Sequence, residues 1–225
     1  MFEFSQIVDT SILDYCQKYK TRYCNIIEKQ IDYLEKKNTI PLDTKQRCIK
    51  LFEYTDYTSK RLYNVTSISP LILALYTKES NCKWVVSKDG YGSIGYGQLT
   101  PKFLDKLLLP IVPEYKRVEK DYTYAVGYYL KYIHERQNKF KKWWITLQIY
   151  NGGIGVISHC EKANSTKWSN CLLHCNKSPN ICVWKEGEKC KQYRDGCEIN
   201  YEYSIKTYNY YLQYKRNIDP QITYW

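Results

Sequence analysis

Long apolar runs are missing from this 225-residue chain. None approaches the roughly 18–20 residues that an α-helix needs to cross a bilayer, which argues against an integral membrane protein. The first twenty residues also lack the basic and apolar regions of a secretory signal, so none is expected. No zinc-finger, RRM or basic-zipper signature is present, nor a phosphate loop, a Rossmann fingerprint or a Ser-His-Asp order. Internal repeats and low-complexity linkers are absent as well. Phenylalanine is scarce, 5 against 25 tyrosines, a bias that AT-rich coding partly accounts for and that carries little functional meaning. Hydrophobic residues at 44% and charged residues at 25% exclude wholesale disorder. The length suits one sizeable domain, or one domain with a small appendage.

What is present in excess is positive charge and cysteine. The formal net charge of +11 favours an anionic partner: nucleic acid, an acidic membrane surface or a polyanionic wall. The basic residues are scattered, and the densest run is Lys139-Phe140-Lys141-Lys142. Of the ten cysteines, six fall within 160–197. That density suits disulfides formed in an oxidising compartment. Zinc held by thiolates with His159 or His174 is an alternative, for which Cys171-Leu172-Leu173-His174-Cys175 is the nearest match in spacing. Free buried thiols are the third.

Apolar spacing predicts a helix over 10–37 capped by Asp9 or Thr10, a second over 44–63, and a buried one from Ser69-Pro70 to Glu79-Ser80 with Ser69 as its N-cap. Gly90, Gly92, Gly95 and Gly97 then mark a short hairpin or loop. Further helices are expected over 101–109 (ended by Pro110 and Pro113), 119–138, 141–150 and 199–216. The cysteine-rich 155–198 shows no sustained period. Of the histidines, His134 reads as solvated on the polar side of its helix, and His159 and His174 as structural. The sum is mainly α with at most a small sheet.

Glu79 stands out because it ends an apolar helix directly before the glycine-rich stretch. A carboxyl held among apolar groups keeps its proton to higher pH and suits proton donation near neutrality, whereas a solvated Glu at a helix end would do nothing. Ser69-Pro70-Leu71-Ile72-Leu73-Ala74-Leu75 up to Glu79-Ser80, then Gly92-Ser93-Ile94-Gly95-Tyr96-Gly97-Gln98-Leu99-Thr100-Pro101, then Ile149-Tyr150-Asn151-Gly152-Gly153, resemble in order and separation the signature of soluble lytic transglycosylases. Ala125-Val126-Gly127-Tyr128-Tyr129-Leu130 resembles that family's intervening Gly-x-x-Tyr-Leu helix, and Trp144 precedes the Tyr-Asn segment by the customary short step. The resemblance covers roughly 68–153. Departures are Tyr96-Gly97 for the usual Leu-Met, Ile149 for Ala, Cys82 where an aromatic is common, and a loop between Glu79 and Gln98 that differs by about a residue.

The resemblance implies a lysozyme-like fold, α+β with a minimal β-hairpin, over 66–225. Residues 155–198 would be a cysteine-rich insertion and 1–65 an N-terminal helical segment packed on the domain. It implies peptidoglycan as partner, no cofactor, no metal, no nucleic acid and no stable membrane insertion, in a monomer. Glu79 would act as sole acid and then base, giving a 1,6-anhydromuramyl product. Gln98 and Tyr150 would position glycan groups, Asn151 would anchor a turn, Ser80 and Ser93 would organise loops or touch substrate, and Tyr96 (like Tyr91) would stack on sugar. Two alternatives are a hydrolytic muramidase pairing Glu79 with Asp89, and a glycan-binding or structural relative without activity. The absence of an evident signal would fit a bacteriophage enzyme, virion-associated or released from the host cytoplasm, or one from a mobile-element secretion system.

Overall fold

The apolar run after Pro70 has no polar face, and the computed structural model buries it accordingly. Helix α5 (Ser69–Ser80) is buried on every side from Ser69 to Thr77. The structure describes residues 8–9, 11–35, 39–64, 68–87, 92–110 and 119–218. These divide between two compact units, one drawn from 1–38 and 134–205, the other from 39–133 and 206–225.

In the second unit α5 lies among α3 (Leu42–Ile49), α4 (Phe52–Tyr63), α6 (Pro101–Leu108) and α7 (Glu119–Tyr132), with the later part of α11 (Gly196–Ile218). Gly127 lets α7 approach α4, since a Cβ there would collide with the Thr58 side chain. Two hydroxyls of α5 are paired: Tyr76 donates to Thr123 (3.1 Å), and Thr77 donates to the Leu73 carbonyl (2.9 Å) and meets the Tyr214 hydroxyl (2.8 Å). The expected N-cap is displaced by one residue. Ile68 holds the cap position, and Ser69 turns its hydroxyl towards Ser59 (3.4 Å).

The first unit holds α1 (Ser11–Lys18), α2 (Arg22–Glu35), α8 (Trp143–Gly152), α9 (Gly155–Ala163), α10 (Trp168–Leu172), an antiparallel ribbon β1 (Ile181–Glu186) and β2 (Lys189–Arg194), and the start of α11. Trp168 is its largest fully buried side chain, and its indole donates to the Tyr201 carbonyl (3.0 Å).

Two of the expected helices are each broken in two. Over 10–37, Cys16 and Cys24 form a disulfide with Cα atoms 5.2 Å apart. Eight residues of straight helix would separate them by about 12 Å. The chain therefore breaks at Tyr19–Thr21, and Thr21 Oγ1 accepts from the Cys24 amide (3.3 Å) as the N-cap of α2. Asp9 Oδ1 accepts from the Ser11 amide (3.1 Å), in keeping with its capping role, while Thr10 lies outside the described residues. Over 44–63 the break falls at Lys50–Leu51, where the Leu51 amide bonds back three residues to Cys48 (2.9 Å).

The helix expected over 119–138 ends as α at Tyr132 and continues as one π-helical turn, Ile133–Gln137. Buried Asn138 closes it by donating to the Lys142 carbonyl (2.8 Å) and Thr146 Oγ1 (3.0 Å). Lys141 Nζ caps the carbonyls of His134 (2.9 Å) and Glu135 (2.6 Å). Residues 155–198 contain two helices and the ribbon rather than irregular chain. The small sheet therefore lies there, while the described residues of the glycine-rich segment form two isolated bridges, Val86 to Ile94 and Ile94 to Leu99.

All ten cysteines are paired: Cys16–Cys24, Cys48–Cys82, Cys160–Cys171, Cys175–Cys197 and Cys182–Cys190. No thiolate remains for the zinc or free-thiol readings. Cys48–Cys82 closes a span of 34 residues, so Cys48→Ser with Cys82→Ser is expected to cost about 3–4 kcal/mol, measured as a lowered denaturant midpoint.

His134 corrects the expectation of a solvated side chain. It is half-buried, stacks on Trp143 (3.9 Å between centroids, planes 12° apart) and meets Thr146 Oγ1 through Nδ1 (2.9 Å). Burial, then the Lys141 charge, depress its pKa from 6.5 to about 4. The folded state thus binds fewer protons than the unfolded chain between these values, and stability present above pH 6.5 should be lost as pH falls through about 4. Denaturation midpoints measured across that window should show this loss, and His134→Gln should flatten it.

Candidate functional site

The end of α5 is fixed by three kinds of contact. Asn81 (φ +52°) and Cys82 (φ +55°) turn left-handed, and their amides bond back to Thr77 (3.1 Å) and Tyr76 (3.1 Å) in a helix-terminating loop. The Cys48–Cys82 disulfide ties that loop to α3, which accounts for the cysteine at a position where the family resemblance leads one to expect an aromatic. Ser80 Oγ donates to the Tyr96 carbonyl (2.8 Å) and also lies 3.1 Å from the Tyr76 carbonyl, joining the helix end to the glycine-rich turn. Glu79, one residue earlier, is half-buried in the last turn of α5, where the helix passes from core to surface.

The glycine-rich turn depends on Tyr122 of α7. This fully buried tyrosine donates its hydroxyl proton to the Ile94 carbonyl (2.8 Å) and accepts from the amides of Gly97 (3.0 Å) and Leu99 (3.4 Å). Gly95 (φ +81°) crosses its ring so closely that a Cβ would stand 2.6 Å from Tyr122 Cζ. The turn is completed by Gly95 N to Val85 O (2.8 Å), Ile94 N to Leu99 O (2.8 Å) and Ser87 N to Ser93 O (2.7 Å).

Within this frame Ser93 is buried and Gln98 half-buried. Gln98 adopts φ +53°, uncommon for a residue with a Cβ, and its Nε2 donates to the carbonyls of Gly95 (2.7 Å) and Val85 (3.2 Å). Its amide nitrogen therefore braces the turn. Tyr96 is only 5% exposed and donates to Glu119 Oε1 (2.6 Å) at the start of α7. Burial and that carboxylate raise its pKa strongly. Its ring packs with Tyr76, Trp84 and Tyr122, an arrangement of core packing rather than an open stacking platform. The structure thus brings Glu79, Ser80, Ser93, Tyr96 and Gln98 into one unit around one turn. Asp89 and Tyr91 lie outside the described residues.

Tyr150 and Asn151 belong to the other unit, at the C-terminal end of α8. Tyr150 is half-buried. Asn151 is exposed, and its Nδ2 lies 3.5 Å from Asn200 Oδ1. Lys177 Nζ donates to the Gly152 carbonyl (2.9 Å), holding the end of this segment from within the cysteine-rich stretch. Burial lowers the Lys177 pKa.

No protein-family profile matches the chain, and no curated protein matches it.

Sequence reasoning assigns no role to Tyr122, Trp84 or Glu119. Trp84, five residues after Glu79, stands edge-on to Tyr96 (5.2 Å) and Tyr122 (5.0 Å). Its nearness to the glycines was the available signal. Tyr122→Phe keeps the ring but removes three hydrogen bonds, those with the Ile94 carbonyl and with the Gly97 and Leu99 amides. The expected cost is about 1–3 kcal/mol, with faster hydrogen exchange at the Gly97 and Leu99 amides as the site-specific readout.

Proposed function

We propose that the protein is a peptidoglycan lytic transglycosylase in which Glu79 is the only acid and base. The observation that carries this reading is the placement of Glu79. A carboxyl at the end of a buried helix is held by a covalent tie and a hydrogen-bonded turn against the glycine-rich segment on which the resemblance rests. A general acid must keep one position through two proton transfers, and this one stands on rigid support.

In this mechanism Glu79 donates a proton to the oxygen joining N-acetylmuramic acid to N-acetylglucosamine. The bond from that oxygen to the anomeric carbon breaks, and positive charge develops on the sugar. The N-acetyl group of the muramic sugar assists at that carbon, so a second carboxylate is not required. The carboxylate of Glu79 then removes the proton of the same sugar's C6 hydroxyl, whose oxygen bonds to the anomeric carbon and closes the 1,6-anhydro ring. Proton and electron pairs balance without water. Gln98 contributes through its amide oxygen and through the turn that its nitrogen braces. The resemblance by itself would give Tyr150 a positioning role and Asn151 that of a turn anchor. Ser80 and Ser93 shape the loop. The net charge of +11 suits an anionic wall polymer.

Digestion of purified sacculi followed by mass spectrometry of the released muropeptides should give 1,6-anhydromuramyl ends. Reducing ends would instead make the enzyme a hydrolase, and no ends of either kind from a folded protein would remove the activity altogether. Glu79→Gln should lower release by at least about a hundredfold while leaving sacculus binding intact. Undiminished release would place the acid elsewhere.

A further inference from the structure

The β1–β2 ribbon buries almost none of its own residues. Along both strands only Cys182, Cys190 and Arg194 are even half-covered, and Trp184 and Tyr193 are each 60% exposed, with Val183 at 42%. A two-stranded ribbon of this kind is marginal by itself in water. Here it is held twice over. Cys182–Cys190 cross-links the strands, and the base is fixed by Cys175–Cys197, by the Arg22–Asp195 ion pair and by Arg194 to Glu202 (2.6 Å). Core burial explains none of this bracing, because there is no core beneath the ribbon's aromatic residues. Among the described residues, the rings of Trp184 and Tyr193 have no aromatic or cationic partner.

We infer that the ribbon is a docking arm for an extended, acid-bearing glycan strand, which lies along it against Trp184 and Tyr193. Six residues per strand give an extended surface of about 20 Å, with register shifts on either side of Trp184 that turn the chain locally. The exposed rings offer flat apolar faces to sugar C–H groups, and Gln192, paired with Trp184 across the ribbon, offers an amide to hydroxyls. The charge is complementary. The ribbon carries Lys185, Lys189, Lys191 and Arg194 against Glu186 and Glu188. Lys191 is paired with Glu186 (2.8 Å) and Arg194 with Glu202 (2.6 Å), which leaves Lys185 and Lys189, neither in an ion pair among the described residues, as the cations that face an acidic strand. A lipid surface fits less well. The tip that would meet it first is Glu186-Gly187-Glu188, which has no apolar side chain to enter hydrocarbon.

The choice of a wall glycan rests on the function proposed above; the existence of the arm does not. The test uses the full chain carrying Glu79→Gln, so that sacculi stay intact, in co-sedimentation with purified sacculi. Trp184→Ala with Tyr193→Ala should weaken binding about tenfold or more, with the melting temperature unchanged because both side chains are exposed. Trp184→Phe with Tyr193→Phe should retain most of the affinity, and Lys185→Glu with Lys189→Glu should reduce it. Unchanged sacculus binding in the double alanine variant overturns the inference. So does a loss seen only with phosphatidylglycerol vesicles, or only as a shift from dimer to monomer in sedimentation. Absence of anhydromuramyl ends combined with weakened sacculus binding in the alanine variant would remove the catalytic reading and leave the arm standing.

Discussion

A buried phenolic hydroxyl can donate one proton and accept two, and Tyr122 uses that full capacity on a single turn. It ties the Ile94 carbonyl and the Gly97 and Leu99 amides to one side chain, and each of these bonds satisfies a backbone polar group. The glycines follow from the same contact. Gly95 has no side chain because the Tyr122 ring occupies that space, and its left-handed backbone carries the chain across the ring. Gln98, Ser80 and Tyr96 are positioned relative to that turn, so the geometry beside Glu79 traces back to one tyrosine on a neighbouring helix.

The two units solve the problem of small size differently. The second has a helix that is apolar on every side, and it needs one disulfide, placed where that helix stops. The first has shorter helices and a bare ribbon, and it contains four. Cross-links substitute for burial where little apolar surface is available. Its remaining support is polar: Asp9 accepts the Asn170 amide (3.2 Å), and the Arg22 guanidinium bridges to Asp195 and to the Lys177 carbonyl (3.0 Å).

Much of the helical content was legible because burial leaves a period of three to four residues, and α5 was plain from its continuous apolar run after Pro70. What escaped was set by partners far away in the chain. The break between α1 and α2 follows from a disulfide whose pairing cannot be read from one sequence, although the eight-residue spacing of Cys16 and Cys24 already excluded a straight helix if they were joined. The ribbon was missed because its strands lack a buried face, so the alternation that marks a strand never arises. Around Glu79 the residue types were visible in order, but the contacts that hold them were not. Tyr96 packs among aromatic rings, the Gln98 nitrogen braces the turn, and Tyr122 organises it.

The disulfides share a topological property. Four of them join cysteines with no other cysteine between them, and the fifth, Cys175–Cys197, encloses only the pair Cys182–Cys190. No bridge interlocks with another. A nascent chain can therefore seal each loop as soon as its second sulfur emerges, without waiting for distant sequence and without threading one loop through another. Oxidation can proceed in the same direction as synthesis.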